Sequence, residues 1–116
     1  MEHAARGARA AGGLTIGLLP GDNPDEANRY IDLAIATGLG HARNAILAQA
    51  ADGIVALGGG LGTLSEIALG LRRGRPTIGI QTWRFDRHGR TEPELPLAAN
   101  VTDALTWLFA RMARTV

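Results

Sequence analysis

The 116 residues contain no cysteine. That removes disulfides, thiolate metal sites, iron–sulfur clusters and cysteine nucleophiles together, and it fits a reducing compartment. Lysine is absent too: all twelve basic residues are arginine. A Walker-type P-loop needs a lysine after its glycines, and a pyridoxal phosphate enzyme needs one for its Schiff base, so neither reading fits this chain. No stretch approaches the roughly 20 apolar residues that span a bilayer, and no charged-then-apolar leader is present. A cytoplasmic protein without a membrane partner is the expectation. Charge of one sign is also lacking. The net charge of +1 gives no general attraction to nucleic acid or to a membrane surface. His3, His41 and His88 show no ligand spacing, so no metal site is expected.

What is present fits one soluble domain with one core; 46% of the residues are hydrophobic. Met1 to Ala11 reads as an alanine- and arginine-rich helix ended by Gly12-Gly13. Leu14 to Leu19, closed by Pro20-Gly21, reads as a buried strand. Asn23 and Pro24 read as the cap and first residue of a short helical turn. Ile31 to Ala36 is a second strand, and His41 to Ala51 a helix with Ala45, Ile46 and Ala48 at helical spacing. Ile54 to Leu57 is a third strand, Thr63 to Arg73 a helix with Gly74 as its C-terminal stop, and Pro76 to Ile80 a fourth strand. Residues 81–96 read as an irregular, polar surface loop. Asn100 or Thr102 caps a last helix through Leu105, Leu108, Phe109 and Met112. Apolar strands alternating with helices predict an α/β fold: three layers, doubly wound, with a mostly parallel sheet covered on both faces.

One stretch raises a chemical question. "DGIVALGGGLGTLSE", Asp52 to Glu66, ends a strand in consecutive glycines and then opens a helix. Glycines let a backbone approach an anion closely, and a helix start offers unpaired N–H groups and a positive dipole end. In a doubly wound sheet, ligands sit beyond the carboxyl ends of the strands. Gly58, Gly59, Gly60, Gly62 and Thr63 are therefore candidate phosphate binders. The dinucleotide fingerprint is not met: Thr63 stands where G-x-G-x-x-G wants its third glycine, and no acidic residue follows at the ribose-binding distance. A tight turn that binds nothing has the same spacing. Glu66 likewise has two readings. Thr63-Leu64-Ser65-Glu66 has the form of a capping box, and the same carboxylate sits one turn into a helix that points at the ligand position.

"GGGLGTLSE" resembles the PGGxGTxxE signature of the Lonely guy family of cytokinin-activating phosphoribohydrolases. Gly40-His41-Ala42-Arg43-Asn44 resembles that family's H-x-R-K segment, and the separation of Arg43 from Glu66 matches the family's. The resemblance implies that Arg43 holds the nucleotide and that Glu66 takes part in cleaving the N-glycosidic bond. Two positions depart from the enzyme pattern: Gly58 replaces the proline and Asn44 the lysine. These variants, with "TIGLLPG" and "AIATGLGHARN", resemble a sister group, the molybdenum-cofactor carrier proteins, whose ligand is a phosphorylated pterin. Some members of the wider family carry the label "lysine decarboxylase", which a chain without lysine does not support. The match runs roughly over residues 1–80 and implies a Rossmann-like domain over residues 1–116 that lacks the family's first strand–helix–strand unit. It further implies a homodimer or higher homo-oligomer.

Three functions follow as expectations. The first is binding of a phosphorylated nucleotide-like or pterin ligand, with the phosphate on the amides of Gly59 to Thr63, Arg43 and Asn44 beside it, and the molybdenum cofactor as possible cargo; no cofactor is required. The second is a phosphoribohydrolase acting on nucleoside 5'-monophosphates through Arg43 and Glu66. The third is a non-catalytic fragment or interaction protein. A basic stretch (Arg72, Arg73, Arg75, Arg84, Arg87, Arg90) interleaved with Trp83 and Phe85 has the composition of a single-strand nucleic-acid binder. Near-zero net charge favours a solvated surface instead, so no nucleic-acid partner is expected. Trp107 and Phe109, two apart, cannot share a helix face; one is expected to pack inward and the other to meet a neighbouring subunit.

Overall fold

The computed structural model describes residues 1–89 and 95–112. It contains two compact units, Met1–Arg43 and Asn44–Val116. Each has parallel strands and helices, so the α/β class read from the sequence holds.

In the first unit, helix α1 (Glu2–Ala10) carries Glu2 at its start and Arg9 at its end, matching the helix dipole. It closes at Gly12, whose φ of 85° only glycine adopts freely. Strands β1 (Ile16–Leu19) and β2 (Leu33–Ala36) pair in parallel, Ile16 opposite Leu33 through Leu19 opposite Ala36. Between them lies a single 3-10 turn, Pro24–Glu26, capped by Asn23, whose side-chain oxygen accepts the Asp25 N–H at 3.0 Å. The ladder is anchored at its start by Thr15, which is buried. The Thr15 hydroxyl donates to the Tyr30 carbonyl at 2.5 Å and accepts the Asp32 N–H at 2.8 Å. The Thr15 N–H donates to the Asp32 carboxylate at 2.9 Å, and Arg9 lies 3.3 Å from the other carboxylate oxygen. The Thr15 N–H chiefly holds the Asp32 carboxyl below its ordinary 3.8; desolvation opposes it, and the Thr15 hydroxyl and Arg9 add to the lowering.

The second unit holds helix α2 (Arg43–Ala50, its first residue counted in the first unit), strand β3 (Ile54–Leu57), helix α3 (Leu61–Arg72), strand β4 (Thr77–Ile80) and helix α4 (Val101–Met112). β3 and β4 pair in parallel from Ile54 opposite Thr77 to Leu57 opposite Ile80. Because side chains alternate along a strand, the ladder has two apolar faces. On one, Ala56 packs with Ile67 of α3 and with Leu95, flanked by Leu71, Trp83 and Phe85. On the other, Ile78 and Ile80 pack with Ala104 of α4, flanked by Val55, Ala98 and Trp107. This is a helix–sheet–helix sandwich. Gly70 permits it: a Cβ there would stand 2.6 Å from Ile54 and 2.9 Å from Thr77. Asn100 caps α4, accepting the Asp103 N–H at 2.8 Å. Trp107 packs inward while Phe109 is exposed, the division expected of two residues on different helix faces.

Three expectations need correction. Residues 81–96 are not simply a surface loop. Leu95 is 1% exposed and belongs to the core, and the chain returns along β4, with the Gly79 N–H on Pro96 and the Ala98 N–H on Gly79 at 2.9 and 2.8 Å. Arg90 and its neighbours through residue 94 lie outside the described residues. Second, α3 starts two residues before Thr63, at Leu61. Third, coverage of the strands on both faces holds for β4, which is buried throughout, but not for β1 and β2, where Ile16, Leu33 and Ile35 are exposed. The only α-helix lying wholly within the first unit, α1, buries just Ala5; its alanines and arginines have too little apolar surface to cover a ladder. Among the described residues no helix is long and apolar enough to cross a membrane.

Truncating the buried side chain in Leu95→Ala is expected to cost about 2–5 kcal/mol, read from the urea midpoint; a change under about 0.5 kcal/mol would place Leu95 at the surface after all. For Asp32, a lowered carboxyl pKa stabilises the folded state above the unfolded value. That stabilisation is lost as pH falls through the folded value. Asp32→Asn is therefore expected to be less stable than the parent at pH 7 and to lose less stability below about pH 4. Denaturant midpoints measured across pH 2–7 check this; parallel acid slopes would contradict it.

Candidate functional site

The turn between β3 and α3 begins where β3 runs out of ladder: the Gly58 N–H makes the last bond, to Ile80, at 3.3 Å. Gly58 and Gly59 then take φ values of 57° and 120°. A side chain at Gly59 is excluded twice, by that φ and by Thr63, whose Cβ would stand 2.4 Å from an added Cβ. Gly60 is the N-cap of α3 and has no side chain to cap it. Thr63 is inside the first turn, so the capping box read from the sequence does not form, and Glu66 is not its closing carboxylate.

The turn's carbonyls are held from three directions. Gly58 O accepts the Thr82 hydroxyl proton. Gly60 O accepts the Trp83 indole N–H at 3.1 Å and the Leu64 N–H at 3.2 Å. Gly62 O faces the Asn44 side-chain amide at 3.5 Å, a long contact that the Ser65 hydroxyl shares at 3.4 Å. Against this, the N–H groups of Gly59 through Thr63 have no acceptor among the described residues. The start of α3 thus presents free donors at the positive end of its dipole, with no acidic residue in its first turn.

The other predicted residues fall as follows. Asn44 is 1% exposed and lies beneath α3 against Gly62 and Ser65, with its Oδ1 buried and unpartnered. Glu66 is half-buried in α3, and its carboxylate bonds to no described residue. Arg43 belongs to the first unit, where its guanidinium donates to the Leu18 carbonyl at the end of β1 and its Nε is buried without a partner. His41 is exposed in the 3-10 turn Gly40–Ala42.

Sequence reasoning missed Thr82 and Trp83, which it assigned to a surface loop. The available signal was position: both follow the carboxyl end of β4, beside β3, where loops of a parallel sheet converge. Thr82 reaches Gly58 because the chain folds back sharply. Gln81 takes a positive φ of 48°, and a Cβ on Gly79 would stand 2.4 Å from the Thr82 methyl.

Solved structures share this architecture. A molybdenum cofactor binding protein from the phototrophic bacterium Rippkaea orientalis is 37% identical, with a TM-score of 0.80 over 97% of this chain and 71% of its own. The molybdenum cofactor carrier protein of Chlamydomonas reinhardtii is 31% identical, with a TM-score of 0.76 over 99% of this chain and 71% of its own. An uncharacterised protein of Archaeoglobus fulgidus is 45% identical over 81 residues, 70% of this chain. The present chain spans about half of that relative's length, 53%. A profile of the SLOG cluster4 family matches residues 1–105, and the chain belongs to that family.

Proposed function

We propose that this chain binds a phosphorylated small molecule, a pterin of the molybdenum-cofactor type or a nucleotide-like analogue, at the β3–α3 turn. The observation that carries the reading is the run of unpaired N–H groups from Gly59 through Thr63, above carbonyls already engaged by Thr82, Trp83 and Asn44. Such a cradle suits a phosphate, which accepts several bonds at once and gains from the helix dipole. The naming of two solved relatives as molybdenum cofactor binding and carrier proteins supports a pterin phosphate as cargo. Gly59, Gly60, Gly62 and Thr63 supply backbone donors. Gly58 shapes the turn, and Asn44 supports it from below. No bond of the ligand is broken in this reading.

A second reading rests on Glu66. A half-buried carboxylate with no partner in the second turn of α3 is available to stabilise an oxocarbenium ion or activate water at a ribosyl bond.

Calorimetric titration with AMP and with the molybdenum cofactor, followed by chromatography for free adenine, separates the two. Saturable binding without adenine release is expected. Adenine release that disappears in Glu66→Gln would replace the carrier reading with a hydrolase, and absence of any binding would overturn both. Gly59→Ala is expected to cost about 1–3 kcal/mol of stability and to weaken binding at least tenfold. Thr82→Val keeps the side-chain shape but removes the proton held by Gly58 O. It is expected to stay folded by circular dichroism and to weaken binding by about tenfold, the equivalent of about 1.4 kcal/mol; unchanged affinity in a folded Thr82→Val would remove the turn from the site.

A further inference from the structure

At the opposite end of α3, roughly 18 Å along the helix axis from the glycine turn, lies a cleft of about 480 Å³ lined by Gln49, Leu69, Arg72, Arg73 and Arg75. Its volume falls in the range of about 300–1,000 Å³ usual for small-molecule sites. Three guanidiniums line it and no carboxylate does. None of the three makes an ion pair with a described residue.

The bland explanation is that these arginines neutralise helix C-termini. It accounts for Arg75, whose Nε and Nη2 donate to the last carbonyls of α2, Ala48 and Gln49, at 3.2 and 2.8 Å. It does not account for the other two. The end of α3 is already closed by backbone: the Arg73 N–H reaches Leu69, the Gly74 N–H reaches Leu71 and the Arg75 N–H reaches Gly70, at 3.1, 3.0 and 3.0 Å. Gly74, at φ 70°, makes that closure possible. Arg73 then donates only to the Gln49 side chain, and Arg72 bonds to no described residue through its guanidinium. Arg75 and Gln49 together fix one wall of the cleft, while Arg72 and Arg73 bring two further charges to it. Leu69 supplies an apolar patch.

We propose that this cleft is a second anion site, separate from the glycine turn, that takes a small molecule bearing a diphosphate. A diphosphate carries about three negative charges near pH 7, equal to the charge of the three guanidiniums. Its paired phosphate edges match the two-pronged donors of arginine. A single phosphate would leave charge unmatched.

The test is calorimetric titration of the 116-residue protein at low salt with inorganic pyrophosphate and with ADP, using inorganic phosphate as the weaker comparison. Saturable pyrophosphate binding is expected, at least tenfold tighter than phosphate. Arg72→Gln/Arg73→Gln, which leaves Arg75 and its bonds to α2 intact, is expected to weaken it at least tenfold without unfolding. In that double variant AMP binding should persist, and in Thr82→Val pyrophosphate binding should persist. Side-chain Nε resonances of Arg72 and Arg73 should shift on pyrophosphate addition. The proposal is overturned if the double variant binds pyrophosphate like the parent, if Thr82→Val abolishes that binding, or if only a single-stranded oligonucleotide moves the arginine resonances. Failure here leaves the glycine-turn reading standing, because its probe and its variant are different.

Discussion

A peptide unit is planar, and its C=O and N–H point in opposite directions, so fixing one fixes the other. The β3–α3 turn uses this constraint at alternate peptides. The Thr82 hydroxyl holds the Gly58 carbonyl, and thereby the direction of the Gly59 N–H. The Trp83 indole holds the Gly60 carbonyl and thereby the Leu61 N–H. The Asn44 amide faces the Gly62 carbonyl, whose peptide carries the Thr63 N–H. Donors on one side leave donors on the other. Glycine at 58 and 59 is needed because the turn requires positive φ at both. In the proposed reading an anion would meet these amides already oriented, and little ordering entropy would remain to be lost on binding.

This dependence runs back into the core. Thr82 and Trp83 are in place only because β4 is buried on both faces and the following residues turn over it. Trp83 both packs against the Ala56–Ile67–Leu95 cluster and donates to Gly60, so one side chain ties hydrophobic packing to turn geometry. Leu95 extends the tie, since it fills the same cluster from the segment that returns along β4. The second unit thus needs no helix beyond α3 and α4 to cover its ladder. The first unit differs: polar contacts centred on Thr15 and Asp32 fix the start of its ladder, and apolar side chains of β1 and β2 stand exposed.

Much of this was legible in the sequence for identifiable reasons. Ile54–Leu57 was read with its observed bounds because four apolar residues sit between Gly53 and Gly58. The Asn23-Pro24 start and the Gly12 and Gly74 stops were read from residues whose backbone preferences are strong. The glycine turn was legible for the same reason. The start of α3 was misplaced because Thr63-x-x-Glu66 imitates a capping box, while the real cap, Gly60, has no side chain to signal it. The roles of Thr82, Trp83 and Leu95 depend on contacts across more than twenty positions of chain. Local composition there is polar and irregular, and it pointed to the surface. Asn44 was read as facing a ligand; its burial against Gly62 follows from how α2 packs on α3, which no local pattern encodes.

The two proposed anion sites, at opposite ends of α3, would stabilise a ligand in different ways. At the N-terminal end the donors are neutral peptide amides in fixed directions, and the attraction is that of a dipole, which falls off within about a turn of the helix. At the C-terminal end the donors are formal charges on side chains, two of them exposed, and their attraction is screened over a Debye length of about 8 Å at physiological ionic strength. The first arrangement, as proposed, would select by geometry, because a phosphate would have to seat on amides whose directions are fixed. The second would select by total charge, because the Arg72 guanidinium bonds to no described residue and Arg73 is held only by the Gln49 side chain, whereas Arg75 is tied to two backbone carbonyls. Both kinds of donor, peptide N–H and guanidinium, can donate but not accept, so each proposed site would call for a ligand rich in acceptor oxygens.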